Sequence, residues 1–297
     1  MISLPRVGLG GGPLGNLFEP VEDDEALATV EQAWARGVRF FDTAPFYGSG
    51  LAERRLGAVL RDRPRDEFVL STKVGRLLRP GEPDSSFPGA DPLGAFFDFS
   101  HDGALRSLEE SLERLGVDRV DIALVHDPEN HVDEALAGSC RALVRLRDEG
   151  TVRAIGVGLN YVEPLLRFGR EADLDCMLVA GRFTLLDRQA VPELLPLCEE
   201  RGIAVIAGGV LNSGLLAGGT TFDYGPTPPE LVRRAQGLEE TCGRYGVPLA
   251  AAALQFPLRH PAVAAVLVGA RSRTEVEYDL DLLELEIPDE LWAAVGA

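Results

Sequence analysis

The chain of 297 residues is poor in cysteine and short of positive charge. Its four cysteines, Cys140, Cys176, Cys198 and Cys242, stand far apart, with no C-x-x-C among them. That spacing argues against a disulfide framework or a structural zinc site and points to a reducing cytosol. Basic residues number 29 against 47 acidic ones, for a net charge of −18. Such a field repels phosphate backbones and anionic lipid, so neither nucleic acid nor a membrane is an expected partner; only a local basic pocket would hold a small anion. Long apolar runs are missing too. The longest, Ile203 to Gly219, is interrupted by Gly208, Gly209, Asn212, Ser213 and Gly214, whereas a membrane span needs about 20 mostly apolar residues. Met1 to Arg6 lacks the basic and apolar regions of a secretory signal, and no G-x-S-x-G elbow of a serine hydrolase occurs. The expectation is a soluble, cytoplasmic protein.

What is present is a rhythm. With 45% hydrophobic and 26% charged residues the composition is that of a globular chain. Eight short apolar runs recur, at Arg6–Leu9, Val38–Thr43, Phe68–Lys73, Asp121–His126, Val152–Val157, Cys176–Ala180, Ile203–Ala207 and Ala264–Val268. Between them lie segments with helical spacing, among them Asp24–Arg36, Ala104–Leu115, Asp133–Asp148 and Val191–Arg201. Gly37, Gly116, Gly150 and Gly202 each follow a helical run where a C′ glycine belongs. Strands alternating with helices pair in parallel through crossovers. Eight such units predict an α/β fold of the (β/α)8 barrel kind over residues 1–297, with an open doubly wound sheet as the alternative. Two segments interrupt the alternation. Residues 76–101 read as a long loop with Phe87, Phe96, Phe97 and Phe99, suited to a lid or pocket wall; residues 208–229 follow the seventh strand. Both are expected to be active-site loops. The tail beyond Asp281 carries acids and no basic residue and reads as a solvated face.

Two motifs fall short of their usual meaning. Gly10-Gly11-Gly12-Pro13-Leu14-Gly15 satisfies G-x-G-x-x-G, but Pro13 and the residues after it do not start the helix that a dinucleotide fingerprint requires. A strand-end loop near a ligand is the better reading. His126-Asp127-Pro128-Glu129-Asn130-His131 has metal-ligand residue types, yet no second His/Cys cluster supports it, so no metal is expected.

The strongest constellation is spread over three strand ends. Asp42 closes the second strand and Tyr47 follows it; Lys73 closes the third strand and His126 the fourth. Singly these are a helix cap, a packing residue, a solvated cation and a core histidine. Together, in a barrel, they face one mouth, where barrel active sites sit. An ammonium beside a phenol favours the phenolate, and Asp42 would hold Lys73 charged and in place.

Here the sequence resembles the aldo-keto reductase superfamily. The matching stretches are Phe41–Gly48 with Glu53, Phe68–Lys73, Ser107–His126 and Val263–Leu280. Within it the chain looks most like the aldose and galactose dehydrogenase branch, through Ala180–Leu186, Asn212–Leu216 and Pro248–Phe256. The resemblance implies a catalytic tetrad of Asp42, Tyr47, Lys73 and His126 and a nicotinamide dinucleotide bound without a Rossmann domain. Tyr47 would be the general acid/base, and His126 would donate to the substrate oxygen. Gly10 and Gly11 would lie beside the nicotinamide ribose and Asn160 at the carboxamide, in Gly158-Leu159-Asn160 where the family commonly has Ser-Asn. Leu211, Ser213, Gly214 and Leu215 would meet the pyrophosphate. Gly208 replaces the aromatic that stacks on nicotinamide in many members, and Arg182 or Phe183 would take over part of that role. The adenosine end would lie over Val268–Asp279, with Arg271, Glu275 and Asp279 as contacts. Gly269 and Glu275 occupy the positions of the Lys and Arg that hold the 2′-phosphate in NADP-preferring members, which favours NAD, with NADP as the alternative. The implied activity is oxidation of an aldose at C1. The alternatives are an NADPH-dependent reductase of small aldehydes or ketones, and a non-catalytic nucleotide-sensing subunit.

Overall fold

The computed structural model describes residues 3–296. Eight parallel strands close into a barrel in sequential order. They are β1 (Val7–Gly10), β2 (Phe40–Asp42), β3 (Val69–Val74), β4 (Ile122–His126), β5 (Ala154–Leu159), β6 (Cys176–Ala180), β7 (Ala204–Gly208) and β8 (Val263–Gly269). Each contains or overlaps one of the eight apolar runs. β1 closes the ring by pairing with both β2 and β8, with Gly10 opposite Asp42 on one side and Gly269 on the other. The expected (β/α)8 barrel is therefore the fold.

Why the strands read as unbroken apolar runs follows from their position. β4 and β5 are buried at every residue, because one face lines the barrel interior and the other lies under helices. The pleat separates the two sets. Phe40, Ile122, Leu124, Leu178, Ile206 and Leu267 fill the inside, while Phe41, Ala123, Val125, Val179 and Val205 pack outward against the helices. The same period of two carries the inward face of β2 from Phe40 to Asp42 and that of β4 from Leu124 to His126. Lys73 lies opposite Leu124 in the ladder. Polar side chains thus cap a column of apolar ones at the C-terminal mouth.

Helical punctuation behaves as local chemistry dictates: Gly37, Gly116, Gly150 and Gly202 all have positive φ just past a helix. Three expectations need correction. The helix expected over Asp133–Asp148 is broken into Val132–Ala137 and Ser139–Asp148. At Gly138 a Cβ would lie 2.3 Å from the Phe99 carbonyl oxygen, and that oxygen accepts hydrogen bonds from the Ser139 amide (2.8 Å) and hydroxyl (2.9 Å). Contact with a distant residue, invisible to helical periodicity, sets the break. Residues 76–101 are not a long loop but an antiparallel hairpin, Arg76–Pro80 with Leu93–Phe97, running into the helix His101–Leu115. The tail beyond Asp281 is only partly solvated, since Leu282, Leu291 and Trp292 are buried. No helix among the described residues is long and apolar enough to cross a membrane.

Candidate active site

Asp42, the last residue of β2, accepts from the Ser71 hydroxyl at 2.7 Å and from Lys73 Nζ at 2.6 Å. Lys73 also donates to the Thr43 carbonyl at 2.9 Å and is only 1% exposed. A buried ammonium is tolerated when paired and hydrogen-bonded in this way. Asp42 and the Tyr47 ring hold the ammonium form, so the Lys73 pKa stands well above its ordinary value despite the opposing effect of burial. Behind β3, buried Glu53 accepts from Thr72 (2.7 Å) and from Arg114 Nε (2.6 Å), which anchors the strand from its outer side.

Tyr47 sits in the turn between β2 and the helix Leu51–Leu60. Lys73 Nζ lies 4.7 Å from its ring centroid, and the His126 ring meets it edge-on at 5.7 Å. The expected downward pull of Lys73 on the phenol is present but does not prevail. Burial raises the Tyr47 pKa, with Asp42 adding to the rise and Lys73 opposing it. In the free protein Tyr47 is a phenol at neutral pH.

His126 closes β4. Burial, with Arg76 and Lys73 nearby, holds its pKa well below the ordinary imidazole value, so the ring is neutral. Its Nε2 lies 3.4 Å from Asp127 Oδ2, and its buried Nδ1 has no partner among the described residues. Phe46 and Phe87 complete the wall: their rings meet edge-on at 5.2 Å, and Phe87 lies 6.1 Å from the Tyr47 ring. Of the four phenylalanines in the hairpin segment, Phe87 alone packs on these mouth residues. Phe97 stacks on Phe99, and Phe96 is exposed.

Around this centre lie the remaining sequence candidates. Gly11 donates to the Asp42 carbonyl at 2.7 Å, where a Cβ would come within 2.8 Å of the same oxygen; Gly10 pairs beside it in β1. Pro13–Gly15 forms a single 3-10 turn ending at Asn16, as expected of a loop that does not start a Rossmann helix. Asn160 follows β5, and its carbonyl accepts from Arg182 Nε at 2.7 Å. The Arg182 guanidinium is also committed to Asp223 (2.7 Å) and Asp187 (3.3 Å), so it fastens the segment after β7 to the barrel. Phe183 is buried against Phe256 and His260, at 5.1 and 5.6 Å. A ring held in that packing is not available for stacking on nicotinamide.

Beyond β7, Leu211–Leu215 forms a tight turn with Asn212, Ser213 and Gly214 all at positive φ. Asn212 Oδ1 accepts from Thr184 at 2.7 Å, while its buried Nδ2 has no partner among the described residues. A two-stranded hairpin follows, Thr221–Phe222 with Gly225–Pro226, whose turn residue Tyr224 packs on Phe18 at 6.0 Å. At the far end, Arg271 pairs with Glu275 (2.7 Å) and Glu19 (2.6 Å), and Arg273 with Glu25 (3.3 Å). Asp279 is buried beside Glu275, and burial first, then that charge, pushes its pKa up to about 7.

No group of three or more His, Cys, Asp or Glu side chains is arranged for a metal among the described residues. His131 instead packs against both Phe97 and Phe99. One signal in the sequence escaped the motif reading: Lys73 is the only lysine, the other basic residues all being arginine. Arginine is a large planar fork, whereas a compact ammonium fits the narrow space beside Asp42.

Comparison with known proteins agrees with this architecture. The Aldo/keto reductase family model matches residues 6–297. The chain is 45% identical to D-threo-aldose 1-dehydrogenase from Pseudomonas sp, over 99% of this chain and 94% of that one. It is 40% identical, at the same coverages, to pyridoxal 4-dehydrogenase from Microbacterium luteolum. Among solved structures, the glycerol dehydrogenase from Gluconobacter oxydans superposes with a TM-score of 0.77 at 27% identity, covering 99% of this chain and 90% of that one. A family pattern that spans the chain, on a barrel of the matching kind, establishes that this protein belongs to the aldo/keto reductase family and is an NAD(P)-dependent oxidoreductase acting on CH–OH and C=O groups.

Proposed function

We propose that the protein is an aldose C1 dehydrogenase that prefers NAD. The observation that carries the reading is the sole lysine, buried at 1% exposure, held 2.6 Å from Asp42 and 4.7 Å from the Tyr47 ring centroid. That arrangement supports Tyr47 as the group that holds and moves the proton of the reacting hydroxyl. Lys73 makes the phenolate accessible by its charge, and Asp42 keeps Lys73 charged and fixed. Neutral His126 supports hydrogen bonding to the substrate oxygen without competing for the proton. The names of the D-threo-aldose relative and of an L-galactose dehydrogenase at 33% identity support a sugar lactol as substrate.

A bound nicotinamide supplies a site that accepts or returns hydride. The chain fits such a group: the turn Leu211–Leu215 keeps a buried, unpartnered Asn212 amide, a donor suited to an anionic pyrophosphate. In this reading Leu211, Ser213, Gly214 and Leu215 hold the pyrophosphate, Gly10 and Gly11 the nicotinamide ribose, and Asn160 the carboxamide. Arg182 acts by fastening the loop. Arg271, Glu275 and Asp279 lie at the adenosine end, and the acids there support NAD. Glu275 and Glu19 pair with Arg271, and Glu25 with Arg273, so a 2′-phosphate would compete with carboxylates for both arginines. The hairpin segment 76–101 and the segment 208–229 are assigned to this site, and a cytoplasmic location accords with the free, buried cysteines.

The test is turnover on a panel of aldoses and small aldehydes with both cofactors. The expected result is aldose oxidation with NAD; a larger kcat/KM for aldehyde reduction with NADPH would overturn the assignment. Tyr47→Phe is expected to lower kcat by about 10²–10⁴-fold with cofactor affinity kept. Because Tyr47 starts as a phenol, oxidation should climb with pH while reduction falls as the phenol is lost, which a pH–rate profile in both directions checks.

A further inference from the structure

We infer that Asp127 is a specificity-determining residue, whose carboxylate accepts a hydrogen bond from the hydroxyl on the carbon next to the reacting one. The mouth then selects vicinal-diol substrates over simple alcohols and aldehydes. This rests on the aldose reading and names the feature of the sugar that the site recognises.

Asp127 is the first residue beyond β4 and has φ of 46°, a left-handed conformation that non-glycine residues adopt at a cost. Its amide donates to the Gly158 carbonyl at 3.0 Å, which fixes the turn against β5. The side chain lies against the mouth, with Oδ2 3.4 Å from His126 Nε2 and 2.5 Å from Arg76 Nη2. Arg76 is itself pinned, its guanidinium 4.1 Å from the Phe46 ring centroid and 4.9 Å from that of Phe97. One carboxylate oxygen is therefore tied down, while Oδ1 has no hydrogen-bond partner among the described residues and the side chain stays 27% exposed.

A largely buried carboxylate is costly unless its acceptors are used. Ionised, it accepts only, so it matches a hydroxyl donor and nothing on a plain hydrocarbon chain. His126 Nε2 lies 3.4 Å from Asp127 Oδ2, so a substrate oxygen at His126 has this carboxylate as its neighbour. Burial, reinforced by Glu129, raises the Asp127 pKa to about 6, with Arg76 and Lys73 opposing the rise. The group is thus mostly ionised at neutral pH and poised as an acceptor.

The experiment compares kcat/KM for the best aldose with that for its 2-deoxy analogue, in wild type, Asp127→Asn and Asp127→Leu, with melting temperatures as the check on folding. A charged hydrogen bond of this kind corresponds to about a ten- to hundredfold preference for the parent sugar in wild type. That ratio is expected to fall toward one in Asp127→Leu and to an intermediate value in the isosteric Asp127→Asn. A role confined to positioning His126 would lower both substrates together and preserve the ratio, which would overturn the inference. A wild type indifferent to the 2-hydroxyl would overturn it as well. Wild type without aldose turnover would overturn the aldose reading and this inference with it, whereas aldose turnover with a ratio independent of Asp127 overturns the inference alone.

Discussion

Two ion pairs, one buried at the barrel mouth and one half-exposed after β8, show what burial does to the same chemistry. Lys73 and Asp42 meet at 2.6 Å with side chains 1% and 3% exposed. Arg271 and Glu275 meet at 2.7 Å with side chains 43% and 37% exposed. The distances are nearly equal and the consequences are not. In the dry mouth each charge offsets the desolvation of the other, and removing one strands its partner. At the rim, water and salt screen both, and such pairs are worth at most about 1 kcal/mol. The mouth pair is therefore held by burial as well as by charge, while the rim pair is weakened by the solvent around it.

The largest effect is expected from breaking the buried pair. Lys73→Met leaves Asp42 unpaired, which should cost about 3–5 kcal/mol of stability in denaturant titration and at least 10²-fold in kcat. Adding Asp42→Asn should restore much of the stability and none of the turnover; recovery of both would show that the pair serves only folding. Because the chain has one lysine, side-chain nitrogen NMR reads it alone. It should remain an ammonium at about pH 11, where a free lysine is mostly neutral.

At the rim, the comparison sharpens through cofactor choice. Glu275→Arg removes a repelling carboxylate and adds a phosphate partner, and with screening the expected shift toward NADP is about tenfold in the ratio of kcat/KM values. No shift would mean that Glu275 serves Arg271 alone.

Asp279 lies between the two extremes, and its effect should be the smallest. Its folded pKa, about 7, is raised above the ordinary 3.8. Between those values the folded state binds more protons than the unfolded one, so this group's contribution to stability falls as pH rises from about 4 to about 7. Asp279→Asn should therefore raise Tm by a few degrees at about pH 8 and by less near pH 4. An equal gain at both pH values would place the effect in packing.

The hairpin of residues 76–101 and the tetrad mark the two limits of legibility. Asp42, Lys73 and His126 could be placed from the sequence because each stands at or near the end of an apolar run, and parallel strands send those ends to one mouth. The hairpin pairs Arg76 with Phe97 across 21 residues, a contact that no short-range period encodes. Gly138 breaks a helix because of Phe99, 39 positions earlier. Arg182 is occupied by Asp223, 41 positions later.

Strand rhythm, the helix ends at Gly37, Gly116, Gly150 and Gly202 and the identity of the residues at the mouth were thus determined by the sequence itself, since they depend on alternation and capping within a few residues. The direction of the Tyr47 and Asp127 pKa shifts, the neutrality of His126 and the placement of Asp127 beside it were decided only by the tertiary structure. Desolvation and Coulomb attraction depend on distances through space, and those exist only once β2, β3, β4 and the Arg76 hairpin have closed around one point.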